Sequence, residues 1–476
     1  MTHSNNPTPF LDREGHACHH ETTMRYSLFH KRMKTPPLVE GEKKSANQKV
    51  ERLKAGRLAT MAIALTRSLI EQFGPRASGS EASHLAAGEI ERSLSPFCDR
   101  TEQGEVTLDP TFHSMPLAVM AYLYPFLVLL LPFRLSFLSL LLFVLYMAYL
   151  VTTLFYYRPV VKNTRKSVKG INVHGVIEPE GEVEQTIIFT SHHDSAPLFR
   201  HNRLDRFSYL LTVGVPILLF LLAGLLSIIL LFSKPSLGVW IITAVMLALT
   251  PRFLPLIRFY DEKASPGAGD NLNSTSVIIQ LARYFNWKRA GEGGLESTRL
   301  VFCSFDGEEI GLQGSKAWYE RNTELTEGAI VLNFDSIYWA DCLTFLERDV
   351  NGTQPLSEPL ARRCTAIARS MGWSAKSESI PRLAGATDAA SASRTGLAAT
   401  TLTAVAWDDR SKASVYHTDA DTVDAIEVQA VERALSIAIR LVELADSHTL
   451  WEESEEAASR VEEGAPTLSF SKLTTW

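Results

Sequence analysis

TIIFTSHHD, residues 186–194, is the stretch from which the fold is read. Apolar and β-branched residues run from Thr186 to Thr190, then stop on a polar turn bearing two imidazoles and a carboxylate. A short run with apolar side chains on both alternating faces is a strand buried inside a sheet. The design recurs in RLVFCSF (299–305), which leads into FDGEEIGLQGS, and in AIVLNFD (329–335), which ends on Asp335. Helical periodicity occupies 271–285, 313–321, 356–371 and 424–446. Strands alternating with helices predict an α/β fold with a mostly parallel central sheet flanked by helices. In such sheets the chemistry gathers at the carboxyl ends of the strands, where these polar residues fall.

Outward from this core, two blocks change character. Met115–Phe133 and Leu135–Tyr157 carry no charge and are separated by Arg134. Phe207–Phe232 and Pro235–Pro251 form a second pair, the last run being the shortest. About twenty apolar residues span a bilayer, so each block reads as a transmembrane helical hairpin. The remaining chain divides around them: a polar leader (1–48), the first part of the α/β domain (49–112), hairpin 1 (113–157), a second segment of that domain (158–206), hairpin 2 (207–257), its main segment (258–447) and an acidic tail (448–476). The leader carries no signal-peptide pattern. Its His16, Cys18, His19 and His20 are either an unstructured cluster or a minor metal site.

Overall, 46% of residues are hydrophobic and 21% charged, with the apolar excess confined to those blocks. A net charge of -6 excludes the basic footprint of a nucleic-acid binder. Five widely spaced cysteines make no disulfide framework and fit a reducing compartment.

The strand ends and loops supply His192 and Asp194 (SHHDS), Asp270 and Asn271 (PGAGDN), Glu308 and Glu309 (GEEIGLQGS), Asp335 (NFD) and His417 (YHTDADT). Imidazole and carboxylate are the ligands zinc takes in catalytic sites. Two metals clamping the reacting oxygens need just such a set, economically sharing one carboxylate. Each motif alone is weak, but five in a fixed order are specific.

Together they resemble the zinc-dependent aminopeptidases that include the bacterial leucyl aminopeptidases, in a clan with glutamate carboxypeptidase, glutaminyl cyclase and the transferrin receptor ectodomain. FGPRASGSEAS (73–83) resembles a further segment of that family. The resemblance covers about 50–112, 170–206 and 258–447, and leaves the hydrophobic blocks outside. It implies two zinc ions bridged by Asp270. One is completed by His192 and Asp335, the other by Glu309 and His417. It also implies that Glu308 is the general base and that Asp194 orients His192. Tyr416 is either an oxyanion donor or a packed aromatic.

Two positions depart from the pattern. ATDAAS (386–391) has Ala389 where a histidine is frequent, which bears on substrate preference, and Gly269 stands where many relatives have aspartate. Glutaminyl cyclases lack a functional first ligand histidine, so His192 favours hydrolysis. A binding module of the same fold would have lost ligands that this chain keeps. A transporter would carry ionisable residues inside its spans.

His192 and Asp270 must lie on one side of the bilayer, so an even number of crossings separates them and four spans result. Arg158, Lys162, Arg165, Lys166, Lys169, Arg200, Arg203 and Arg206 load the segment between the hairpins, against Arg134 and Lys234 at the tips. The positive-inside rule then predicts a cytoplasmic catalytic domain. The expected activity is membrane-embedded hydrolysis of peptides from the N-terminus. Carboxypeptidase and cyclase chemistry are the alternatives; oligomeric state is not legible.

Overall fold

The three apolar runs form adjacent strands. A computed structural model of the chain describes residues 40–160, 164–199, 206–291, 294–407 and 415–452. The strands and the helices around them belong to one compact unit, Lys49–Trp476. The strands are β1 (Arg100–Leu108), β2 (Val168–Ile177), β3 (Gln185–His192), β4 (Pro197–Phe199), β5 (Tyr260–Ala264), β6 (Thr298–Phe305), β7 (Ile330–Ile337), β8 (Thr344–Asp349), β9 (Gln354–Pro355), β10 (Lys376–Ser379) and β11 (Ala398–Ala404).

The main sheet runs β1-β2-β6-β3-β7-β11-β8-β10, with β9 on β8. Its centre, β6-β3-β7-β11, is parallel, as the continuous apolar runs predict. Antiparallel pairs join β1 to β2, β2 to β6 and β8 to β11, while the edge strand β10 runs parallel to β8. The sheet is therefore the expected one, parallel at its centre, with antiparallel strands added around that centre. The antiparallel flank arises because the chain leaves along β1 and returns along β2, which a parallel crossover does not do.

The helices divide between those packed on the sheet and those of the hydrophobic blocks. They are α1 (Glu40–Phe73), α2 (Glu81–Leu94), α3 (Ser114–Phe133), α4 (Ser136–Phe155), α5 (Phe207–Leu231), α6 (Leu237–Ala248), α7 (Asn273–Arg289), α8 (Gln313–Arg321), α9 (Glu358–Ser370), α10 (Ala389–Arg394) and α11 (Val428–Asp446). Helices α7, α8, α9 and α11 match the expected segments to within a few residues. Phe189, Phe302 and Phe334 stack across neighbouring central strands and anchor the larger core, into which α7, α9 and α11 pack. Ser80 caps α2 by accepting from Ser83 N at 3.2 Å, and Ser357 caps α9 by accepting from Leu360 N at 3.4 Å. Of the expected leader, residues 1–39 lie outside the described residues. Helix α1 starts at Glu40, within the segment expected to be leader. Most of the acidic tail lies outside the described residues as well.

The hydrophobic blocks form one bundle. Helices α3, α4 and α5 are long and apolar enough to cross a membrane. The fourth run is α6 followed by Thr250–Ile257, bent by 43°. The helices share a core around Tyr124, Phe220 and Met246. Gly224 permits close approach, since a Cβ there would meet the Phe143 ring at 2.6 Å. Ser139 Oγ pairs with Ser227 Oγ at 2.8 Å, and the Tyr124 and Tyr146 hydroxyls donate to Met246 O and Pro116 O at 3.0 Å each, while the buried hydroxyls of Ser136, Thr153 and Thr243 have no such partner.

Both hairpins are insertions between paired strands. Hairpin 1 leaves after Leu108, which is in register with Val168 on the return. Hairpin 2 is closed by the β4–β5 ribbon, with Phe199 opposite Tyr260. Each excursion therefore begins and ends at neighbouring points on the sheet domain.

Candidate metal centre

His192 is the last residue of β3, and Asp194 follows it. Glu308 and Glu309 lie in the turn after β6, Asp335 near the end of β7, and Asp270 on the loop that leads into α7. The central parallel strands thus deliver these residues to one edge. His417 comes from the loop before α11.

The candidates converge on Asp270. Its Oδ1 lies 3.4 Å from His192 Nε2, and its Oδ2 lies 2.9 Å from His417 Nε2. Asp335 Oδ2 stands 3.9 Å from His192 Nε2, and Glu309 Oε2 stands 3.5 Å from His417 Nε2. Two triads result, His192–Asp270–Asp335 and Asp270–Glu309–His417, each with ligand atoms within 4.8 Å of one another. Glu308 Oε2 is 3.7 Å from His192 Nε2. His192, Glu308 and Glu309 also form a triad by the same measure, so distance alone does not separate the two glutamates. Asp194 Oδ1 lies 3.2 Å from His192 Nδ1, the ring nitrogen turned away from Asp270.

This donor set fits cations. All of these groups except His417 are buried, and Asp270 Oδ2 and Glu309 Oε1 have no hydrogen-bond donor aimed at them. Burial, joined by neighbouring carboxylates, pushes Glu308, Glu309 and Asp335 well above the usual carboxylate range. Burial opposes charge on His192, yet Glu308, Asp194 and Asp270 outweigh it and raise the imidazole well above its usual value. So dense a cluster of buried carboxylates is held in native proteins by pairing or by metal.

The supporting loops are fixed by residues whose roles the motifs did not announce. Arg76, fully buried, donates to His193 O at 2.8 Å, Gly267 O at 2.8 Å and Pro266 O at 3.1 Å. It thereby ties the His192 loop to the Asp270 loop, and burial lowers its pKa to about 10. Ser78 donates to Asp194 Oδ2 at 2.6 Å, so GPRAS wraps the back of the site. Asp421 accepts from Gly269 N at 2.8 Å and Asp270 N at 3.3 Å; burial and the Asp270 charge push it up to about 7. Asn271 donates to Phe334 O at 2.9 Å and accepts from Ser336 N at 3.2 Å, bracing the Asp335 loop. Positive φ at Ser336 (56°) and His417 (54°) shows backbone strain concentrated here. The Gly-Pro-Arg segment and the second aspartate of HTDAD were the available sequence signals.

Both departures from the family pattern have local settings. A Cβ at Gly269 would meet the Tyr338 ring at 2.1 Å, so an aspartate cannot stand there with this tyrosine. Asp388 is fully buried, and burial pushes it up to about 7. Beside it, Thr387 donates to Asp349 at 2.6 Å. Tyr416 stacks on His417 with ring centroids 3.9 Å apart. Together with Asp335, Ala386, Thr387 and Trp407 it lines a small cavity beside the centre.

Residues 254–442 match the model of Peptidase family M28. That segment contains Asp270, Glu308, Glu309, Asp335 and His417; the fold brings His192 to them from outside it. A 71-residue stretch, 14% of this chain, is 37% identical to a probable glutamate carboxypeptidase of Arthroderma benhamiae, and the chain spans a tenth of that protein's length. Among solved structures, a Zn-dependent exopeptidase from Parabacteroides distasonis is 13% identical, with 81% of this chain and 97% of that one covered and a TM-score of 0.48. A zinc aminopeptidase from Bacillus subtilis is 15% identical, covering 81% and 95%, with a TM-score of 0.49. A glutaminyl cyclase from Bacteroides thetaiotaomicron is 12% identical, covering 83% and 98%, with a TM-score of 0.47. Over residues 254–442, then, the chain is similar to Peptidase family M28, and that segment carries five of the residues gathered at the candidate centre.

Proposed function

We propose that this metallopeptidase is a membrane-embedded aminopeptidase holding two zinc ions, with Asp270 shared between them. The observation that carries the reading is the position of Asp270, whose two oxygens face two different histidines at 3.4 and 2.9 Å. His192 and Asp335 would complete one ion, Glu309 and His417 the other. When bound, zinc supplies a Lewis acid for the peptide carbonyl and lowers the pKa of water to about 7. Glu308 acts as general base, takes the proton of the attacking water and returns it to the leaving amine. Asp194 fixes the tautomer of His192 through Nδ1, leaving Nε2 to face the metal. Tyr416 donates a hydrogen bond to the carbonyl oxygen as it gains charge.

The bundle is the membrane anchor. Large apolar residues face outward from it, among them Phe137, Leu145, Leu218 and Phe232. The even return of each hairpin to its own strand pair supports four spans, with the bent α6 run as the fourth. The basic segment between the hairpins supports a cytoplasmic catalytic domain. Residues at the hairpin bases reach the site: His113 packs on Tyr260, and Phe199 lies 6.3 Å from the His417 ring. This supports substrates presented at the membrane surface.

A second reading keeps the site and changes the end of the peptide that is cut. The short match to a probable glutamate carboxypeptidase favours it. Matched peptides, blocked at either the amino or the carboxyl end, separate the two with purified protein in detergent. Aminopeptidase activity requires a free amino terminus and tolerates a C-terminal amide; the reverse pattern establishes the carboxypeptidase. No cleavage of either, with metal bound, would refute both.

A further inference from the structure

Helix α4 does not simply run out into a linker. Its last turn is fastened to the catalytic domain by Asn351, which donates to Phe155 O at 3.0 Å, and by Arg394, which donates to Tyr156 O at 2.9 Å. Asn351 in turn exchanges hydrogen bonds with Gly385, through Asn351 N to Gly385 O at 2.8 Å and Gly385 N to Asn351 Oδ1 at 3.1 Å. The next residue, Tyr157, lies beyond the end of the helix and has φ +50°, a left-handed conformation that a bulky L-residue adopts only when its surroundings impose it.

That conformation turns the side chain inward. The Tyr157 side chain packs against the two small apolar clusters that contain Ile310 and Leu312, which follow the Glu308–Glu309 pair, and its ring lies 5.8 Å from that of Phe112 at the start of the same hairpin. Its hydroxyl is 3.5 Å from where a Cβ would stand at Gly385, next to the Ala386–Thr387 wall of the cavity shared with Asp335 and Tyr416. Burial raises the phenol well above its ordinary value, and Glu308 and Glu309 add to the effect, which sets the hydroxyl in their field. Among the described residues that hydroxyl makes no hydrogen bond, although it is a donor in a polar site.

We propose that Tyr157, the residue on which the first hydrophobic hairpin returns to the sheet, contacts substrate: its hydroxyl donates a hydrogen bond to the peptide oxygen that gains charge during attack. It approaches from the Gly385 side, with Tyr416 beside His417 as the second donor. The hairpin then contributes to the reaction as well as to anchoring. This rests on the peptidase reading above.

The test is steady-state kinetics of Tyr157→Phe in the full-length protein in detergent, on aminoacyl amides, with metal content and thermal midpoint measured in parallel. The variant keeps the ring and hence the packing. The expected result is a fall in kcat of about 10²-fold, the scale of losing one such donor. KM should stay within about twofold, and metal content and thermal midpoint should not change. A kcat within about twofold of wild type, or a change confined to KM, overturns the inference while leaving the peptidase reading intact. A wild-type protein that cleaves no peptide overturns both.

Discussion

The sheet domain and the helical bundle solve the burial problem in opposite directions. In the sheet domain, charged groups are drawn inside: Arg76, Asp194, Asp270, Asp306 and Asp388 are all buried. Burying a charge is costly unless it is paired, hydrogen-bonded or metal-bound, and here the cost is met at one edge of a parallel sheet. In the bundle, apolar residues are turned outward, with Phe126, Phe137 and Leu218 each more than half exposed. Inside it, Ser139, Ser227, Tyr124 and Tyr146 pair their hydroxyls with one another or with backbone carbonyls. A soluble surface would not present such a face, whereas a bilayer solvates it. Charged groups inside mark the candidate centre in the first region, and apolar groups outside support the proposed membrane embedding of the second.

The contrast can be broken at specific residues. Asp270→Ala removes the carboxylate common to both triads. It should cost more than the roughly 10–100-fold loss of metal affinity caused by removing a mere supporting residue, and activity should vanish with the metal. Elemental analysis with a parallel activity assay checks this; retention of both metals would refute the sharing. Arg76→Ala strips the donor from carbonyls on two ligand loops. It should destabilise the sheet domain by about 3 kcal/mol or more, read as a lowered denaturation midpoint. Leu218→Lys, on the outward face of α5, should cost about 2.5–3.5 kcal/mol in membrane insertion. Leu85→Lys on α2, comparably exposed but on the sheet domain, should fall within about 0.5 kcal/mol of neutral. Insertion and stability assays of this pair sharpen the comparison most cleanly, because equal effects would mean that both faces meet the same solvent.

Much of this was legible along the chain because local pattern and long-range geometry agree. Apolar runs such as TIIFTSH became central strands, and each carries or leads into a residue of the cluster. The hydrophobic blocks were visible from composition alone. Other features depend on contacts that no local pattern encodes. The antiparallel flank pairs Leu108 with Val168 across an entire hairpin. Arg76 recognises backbone carbonyls, which carry no sequence signal at the acceptor. Asp421 serves the Asp270 loop from 151 residues away. Gly269 is explained only by the ring of Tyr338, and Tyr157 only by the loops that force its backbone.

The most direct test of the central claim is hydrolysis of a panel of aminoacyl amides by wild type and Glu308→Gln, each with its bound metal counted and each repeated with a chelator. The expected result is chelator-sensitive cleavage by wild type with two metals bound, and a Glu308→Gln protein that keeps both metals but loses about 10²–10⁴-fold in rate. Cleavage that survives the chelator, or a Glu308→Gln variant as active as wild type, would contradict the account.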